Sequence, residues 1–257
     1  MNVESTPVDL ATARGPMRVH VHAPAPSASA ASSPETTRRY PAIALYSEIY
    51  QETGPIRRAA LRIAGHGYVV AVPEVFHEHE PLGTVLTYDA EGTDKGNRYK
   101  YATALATYDA DARLALDHLK SHPQSSGKLG AIGWCLGGHL AFRAALNADV
   151  LATACFYPTD LHGDTLGAGQ ASDSKARTLA GDVKGELLLA FGRQDPHVPA
   201  EGRRVIYDLL AQAKTRFSWH EFNAAHAFMR DEGPRYDPAL AAIGFGLALE
   251  MFERVLR

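Results

Sequence analysis

Short apolar runs recur along this chain, and most are followed by a longer stretch with helical spacing. They are PAIALYS (41–47), YVVAV (68–72), KLGAIG (128–133), LATACFY (151–157) and ELLLAFG (186–192). Runs of this length, apolar on both faces and bounded by glycine or proline, read as buried strands. Strands alternating with helices of ten to twenty residues require a crossover between parallel neighbours. This predicts an α/β fold, a mainly parallel central sheet with helices on both faces.

The remaining segments fit around that sheet. MRVHVHA (17–23) alternates as an early strand, and PAPSASAASSPETTRR (24–39) reads as a flexible surface loop. Residues 55–66 have helical spacing, with Gly67 as the stop. EVFHEHEPLGTVLTYDAEGTDKG (74–96) is polar and glycine-containing, and is expected as a loop over one edge of the sheet. Residues 99–122 read as one long helix and 136–148 as another, with a polar loop over 159–180. A helix over 201–213, a strand over 215–222 and a helix over 237–256 complete the series. The whole of 1–257 is expected to be one α/β domain, since the segment before the 24–39 loop is too short to fold alone.

Several function classes are disfavoured. At 257 residues and 46% hydrophobic, the chain has material for a sizeable core, and its net charge of −3 comes with no dense basic patch for nucleic acid. The first fifteen residues lack the apolar core of a secretion signal, and no run approaches the eighteen apolar residues needed to cross a bilayer. The only two cysteines, Cys135 and Cys155, make no disulfide framework. These features lead us to expect a cytoplasmic protein, a monomer or small homo-oligomer, acting on a small molecule.

GWCLGG (133–138) lies where a buried strand runs into a helix. A sharp strand-to-helix turn lifts one side chain above the sheet, and glycines at 133 and 137 leave room for the backbone. Cys135 is then the exposed nucleophile, and the backbone N–H of Leu136 points at the developing oxyanion. A helix N-terminus also favours thiolate over thiol. The competing reading is a buried structural cysteine beside packing glycines. A nucleotide loop is disfavoured: the Gly-rich spacing and the Lys-Ser/Thr pair are missing.

Such a cysteine needs a base, and the base needs an orienting group. In this architecture the chain order is nucleophile, acid, histidine. Asp195, in FGRQDPHVP, follows the strand ELLLAFG directly, where sites of open α/β sheets form. Asp160, in FYPTD, also follows a strand and is the second choice. His226, in FNAAHAFMR, lies between the last strand and the last helix, as the final member should. His197 lies too close to Asp195 in the turn to be the first choice, and His220 inside a strand reads as structural. The HEHE run at 77–80 puts His77 and His79 on one side of an extended chain. No third ligand is fixed, so it reads as a polar loop and no metal is expected.

These segments together resemble the dienelactone hydrolases (carboxymethylenebutenolidases) of the α/β-hydrolase superfamily, over about residues 40–255. GWCLGG resembles the family's G-Y-C-L-G-G, LYSEIYQ carries a matching Glu48, GRQDPHVP matches the acid loop, and AAHAFMR resembles G-H-S-F-x-R. The resemblance implies hydrolysis of dienelactone to maleylacetate with no cofactor. It gives Glu48 a part in activating the thiol, and makes the Ile49 N–H the second oxyanion donor. It sets Arg230 on a substrate carboxylate, where a guanidinium fork fits. The departures are Ala227 in place of a serine, Trp134 in place of the tyrosine beside the nucleophile, and no gap-free match for a second arginine. Arg98 or Lys95 would fill that role after a small gap. Trp134 and Arg98 therefore join Arg230 as candidate substrate contacts. The reading that follows is a cysteine-dependent ester or lactone hydrolase. The alternatives are an acyltransferase using the same thioester, or a binding protein that kept the fold without the activity.

Overall fold

The computed structural model describes residues 1–25 and 38–257. Most of the loop expected over 24–39 therefore lies outside the described residues. One eight-stranded sheet organises the rest, in the order β1-β2-β4-β3-β5-β6-β7-β8. The strands are β1 Val3–Thr12, β2 Gly15–Pro24, β3 Tyr40–Tyr46, β4 Val69–Pro73, β5 Ser125–Trp134, β6 Val150–Phe156, β7 Glu186–Gly192 and β8 Phe217–Phe222. Strands β3 to β8 are mutually parallel, while the β1–β2 hairpin adds antiparallel to β4. This is the α/β-hydrolase architecture.

The alternation of side chains along the strands divides the core. On β3, Ala42, Ala44 and Tyr46 enter one apolar cluster, and Ile43 and Leu45 enter the other. The second cluster is closed by α1 (Gly54–Gly65) and α7 (Pro238–Leu256). The first is closed by α3 (Leu105–Ser121), α4 (Leu136–Ala144) and α6 (Ala200–Gln212). Helix α1 shows why these segments are helical. Pro55 sits in its first turn, where a missing N–H costs nothing, and the buried Ile56, Ala59, Ala60, Ile63 and Ala64 form one stripe. Among the described residues, no helix is long and apolar enough to cross a membrane.

Four segments differ from the sequence reading, the first of them one to which no element was assigned. The polar segment VESTPVDLAT is strand β1, where Val8 and Leu10 pack against the core and the other face stays exposed. The loop expected over 74–96 turns helical at Ala90, forming α2 (Ala90–Ala102). The Asp89 side chain caps it by accepting from Gly92 N. The helix expected over 99–122 is two helices. Thr103 and Ala104 are extended, with ψ of 130° and 143°, and break α2 from α3. Thr103 is fully buried there, where its hydroxyl is 2.9 Å from His79 Nε2 and donates to Tyr99 O at 3.0 Å. A short helix, α5 (Ser174–Leu179), also forms inside the 159–180 segment.

The strand order turns at β3, which has β4 on one side and β5 on the other. Open α/β sheets place their crevice beyond the carboxyl ends of the strands at such a reversal. Glu48 follows β3, Cys135 follows β5, Asp160 follows β6, Asp195 follows β7 and His226 follows β8.

Candidate active site

Cys135 stands between the end of β5 and the first residue of α4, at φ 57° and ψ −121°. An L-residue adopts that conformation only when its surroundings hold it there. They do so from both strands and helix: Cys135 N donates to Phe156 O at 3.1 Å, while its carbonyl accepts from Gly138 N at 3.0 Å and Thr159 N at 3.2 Å. Glycine at 137 is obligatory, because a Cβ there would fall on the carbonyl oxygens of Tyr46 and Ser47. That close approach also sets the loop carrying Glu48 and Ile49 beside the cysteine. Cys135 is half-buried and unpaired. Leu136 opens α4, so its N–H has no partner inside the helix.

His226 Nδ1 lies 2.7 Å from Asp195 Oδ2, and both residues are buried. Asp195 Oδ1 accepts from the backbone N of His197 at 2.8 Å, so the carboxylate is fixed from two directions. Burial opposes a charged imidazole at His226, but the Cys135 sulfur and the Asp195 carboxylate outweigh it and raise its pKa to about 10. Burial likewise works against the Asp195 carboxylate, yet His226 holds its pKa below the usual range. The ring of His226 is held edge-on by Tyr157 at 5.0 Å and by His197 at 4.6 Å. Ala227, at φ 59°, turns the chain directly after it.

Cys135 and His226 open on one cavity of about 470 Å3. Glu48, Ile49, Arg230, Asp160 and His197 also line it. Glu48 is 3% exposed. Burial raises its pKa, against the pull of Arg230 and His226. Its Oε2 lies 3.7 Å from Arg230 Nη1 and accepts from Tyr88 OH at 3.4 Å. The Arg230 guanidinium sits 4.2 Å from the centre of the Tyr88 ring, a cation over a π face. Its Nε is buried without a partner among the described residues.

The structure groups most, though not all, of the expected residues. Cys135, Asp195, His226, Glu48, Ile49, Leu136 and Arg230 converge. Arg98 is exposed and outside the cavity lining, with its guanidinium 5.3 Å from the Tyr99 ring centre. Lys95 is paired with Glu91 at 3.1 Å. Among the described residues, the Lys and Arg side chains that do reach the cavity, besides Arg230, are Lys100 and Arg235. Trp134 is 3% exposed and faces away from the cysteine cavity, stacked on Phe156 at 5.7 Å. His220 stacks on Phe222 within β8 and takes no part. His77 and His79 are fasteners: their Nε2 atoms are 2.9 Å from Asp111 and from Thr103 Oγ1.

Sequence reasoning missed the face that α2 turns to the cavity. Thr93, Asn97 and Lys100 lie one helical turn apart along it, beside Tyr101. Asp160, the second-choice acid, belongs to this wall. Its carboxylate accepts from Lys100 Nζ and Tyr101 OH, each at 2.9 Å. Burial disfavours both charges, but the pairing lowers the pKa of Asp160 and raises that of Lys100. The spacing 93–97–100 was the available signal, obscured by Gly92 and Gly96.

Known proteins of one family resemble the chain. The model of the dienelactone hydrolase family matches residues 28–256. A Saccharomyces cerevisiae protein named "Putative carboxymethylenebutenolidase" is 45% identical over 226 residues, covering 85% of this chain and 82% of the relative. The Pseudomonas putida carboxymethylenebutenolidase is 27% identical over 204 residues, covering 79% and 81%. Among solved structures, a dienelactone hydrolase-like promiscuous phosphotriesterase from metagenomic libraries superposes with a TM-score of 0.75 at 19% identity, covering 98% of each chain. At that identity the superposition speaks for the fold alone.

Proposed function

Because the chain belongs to the dienelactone hydrolase family and is a hydrolase of the α/β-hydrolase type, we propose that it cleaves a carboxylic ester or lactone through a thioester on Cys135. The observation that carries this reading is one cavity holding a cysteine on a strained strand-to-helix turn together with a histidine 2.7 Å from a buried aspartate.

In the proposed reaction, His226 Nε2 takes the thiol proton, since Nδ1 is committed to Asp195. The sulfur attacks the carbonyl carbon, and the oxygen takes up the negative charge facing the N–H groups of Leu136 and Ile49. The intermediate collapses, the carbon–oxygen bond to the alkoxide or enolate breaks, and His226 returns the proton to that oxygen. In a lactone the leaving oxygen stays tethered to the acyl chain. His226 then deprotonates a water that attacks the thioester, and the thiol is released. Asp195 fixes the histidine tautomer and balances its charge.

Arg230 is proposed to take a substrate carboxylate. Its contact with Glu48 is long at 3.7 Å, beyond hydrogen-bond reach, so the guanidinium is not fully committed to that carboxylate. A substrate carboxylate competes with Glu48 for that cation, and the displaced carboxylate becomes available to the thiol. Dienelactone, opened to maleylacetate, fits the proposal and the names of the relatives. The test is kcat/KM for dienelactone and for neutral esters, measured with the wild type and Cys135→Ala side by side. Activity in the wild type and near-complete loss in the variant are expected. Equal rates would remove the cysteine from the mechanism, while inactivity of both toward dienelactone alone would point to another ester or lactone.

A further inference from the structure

Behind the Glu48–Arg230 contact lies a second cavity, of about 130 Å3, between α1 and α7. Like the cysteine cavity, it mixes apolar and charged side chains. Ile56 and Ala59 of α1, Trp134, Met229, and Ala241 and Phe245 of α7 supply apolar walls. Glu48 and Arg230 line both cavities, so a single layer of side chains divides them. The tryptophan that faces away from Cys135 faces this space, with its ring stacked on Phe156 and 5.9 Å from Phe245.

The charges at the mouth are unequally committed. Arg58 is bound to Asp231 at 2.6 Å and to Glu232 at 2.8 Å. Arg62 has no carboxylate within ion-pair distance among the described residues, and its guanidinium lies 4.4 Å from the centre of the Phe245 ring. An apolar cavity of roughly 150 Å3 can take one benzene ring. A space of this size therefore suits a single ring or a compact alkyl group. A cation at its mouth suits an anion attached to that group.

We infer that this cavity is a second binding site, for a small monocarboxylate with an aryl or compact alkyl body. The body rests against Trp134 and Phe245, and the carboxylate meets Arg62. The site does not depend on the chemistry proposed for Cys135, because binding is read without turnover.

Trp134 makes the test direct. The chain has two tryptophans, and the other, Trp219, packs at a tilt against Phe191 of β7, ring centres 4.5 Å apart. In Trp219→Phe protein, phenylacetate should produce a saturable change in Trp134 emission. Alkylating Cys135 with iodoacetamide should leave that change in place. Arg62→Gln should weaken binding by about tenfold, the loss expected for one charge-assisted contact. Ala242→Phe, at an exposed lining position of α7, should fill the cavity and abolish the signal. Saturation-transfer NMR of phenylacetate on the unmodified protein gives the same reading without replacing a tryptophan. Absence of saturable binding by both methods overturns the inference. So does a signal that survives Ala242→Phe but is lost on alkylation, since the ring would then occupy the cysteine cavity.

Discussion

Asp195→Asn isolates the electrostatic part of the site, because it keeps the shape and removes the charge. The rise in the His226 pKa from 6.5 to about 10 amounts to roughly 5 kcal/mol of preference for the imidazolium. Cys135 and Asp195 supply it against the cost of burial. The Asp195 carboxylate is one of the two groups that favour the imidazolium, so removing its charge lowers the proton affinity of His226. The amide adds a second penalty. Its NH2 can donate to Nδ1, which moves the ring proton to Nε2, where it faces the sulfur and blocks proton acceptance. Together these predict a fall in kcat/KM of about 10^2- to 10^4-fold. Steady-state kinetics from pH 6 to pH 10 would measure it. Melting temperatures over the same range give an independent check. A group whose pKa is raised on folding stabilises fully below 6.5, and that contribution fades as pH rises through about 10. The wild type should therefore lose stability across this span, and the variant should lose less. Activity within threefold of wild type, with an unchanged pH dependence of stability, would refute the reasoning.

Three further outcomes follow from particular contacts. Arg230→Gln should lower kcat/KM for a carboxylate-bearing substrate by about 10- to 100-fold, mainly through KM, and affect a neutral ester much less; an equal effect on both would count against the assigned contact. Gly137→Ala should yield little folded protein, because its Cβ meets the backbone carbonyls of Tyr46 and Ser47 and no side chain there can yield; soluble variant with wild-type melting would contradict this. The third concerns His20, which bridges Glu52 at 2.9 Å and Glu74 at 2.7 Å. Burial opposes its charge, but the two carboxylates raise its pKa to about 9. The stability it adds is complete below 6.5 and lost as pH rises through about 9, so the melting difference between wild type and His20→Gln should shrink over that interval. A difference constant with pH would show that the ion pairs contribute nothing.

What was legible in the sequence follows from how local each signal is. Buried parallel strands declare themselves through continuous apolar runs, and GWCLGG joins strand, turn and helix in one segment. The positions of Asp195 and His226 follow from strand ends and chain order. The missed features depend on distant partners. Strand β1 is largely exposed on an edge, so its alternation is weak until β2 pairs with it. Helix α2 contains Gly92 and Gly96, which read as loop residues. In the fold they are close-packing residues: a Cβ at 96 would meet Ile49 O, and one at 92 would meet Thr87. The helical pattern breaks at Thr103 with no proline or glycine at hand; there Thr103 meets His79 Nε2 through its hydroxyl and accepts from Ala168 N at 2.9 Å through its carbonyl. The same uncertainty moved the expected second cation. Once 90–102 is helical, Lys100 turns to the cavity and Arg98 turns to solvent.

The thioester proposed on Cys135 can be weighed directly. Enzyme turning over a slowly hydrolysed lactone is quenched in acid, and the peptide carrying Cys135 is examined by mass spectrometry. Ring opening onto sulfur adds the whole mass of the lactone, and hydroxylamine removes it. The predicted result is that adduct on Cys135 in the wild type and neither adduct nor turnover in Cys135→Ala. An unmodified Cys135 peptide during active turnover, or a Cys135→Ala enzyme that works at the wild-type rate, would contradict the cysteine mechanism.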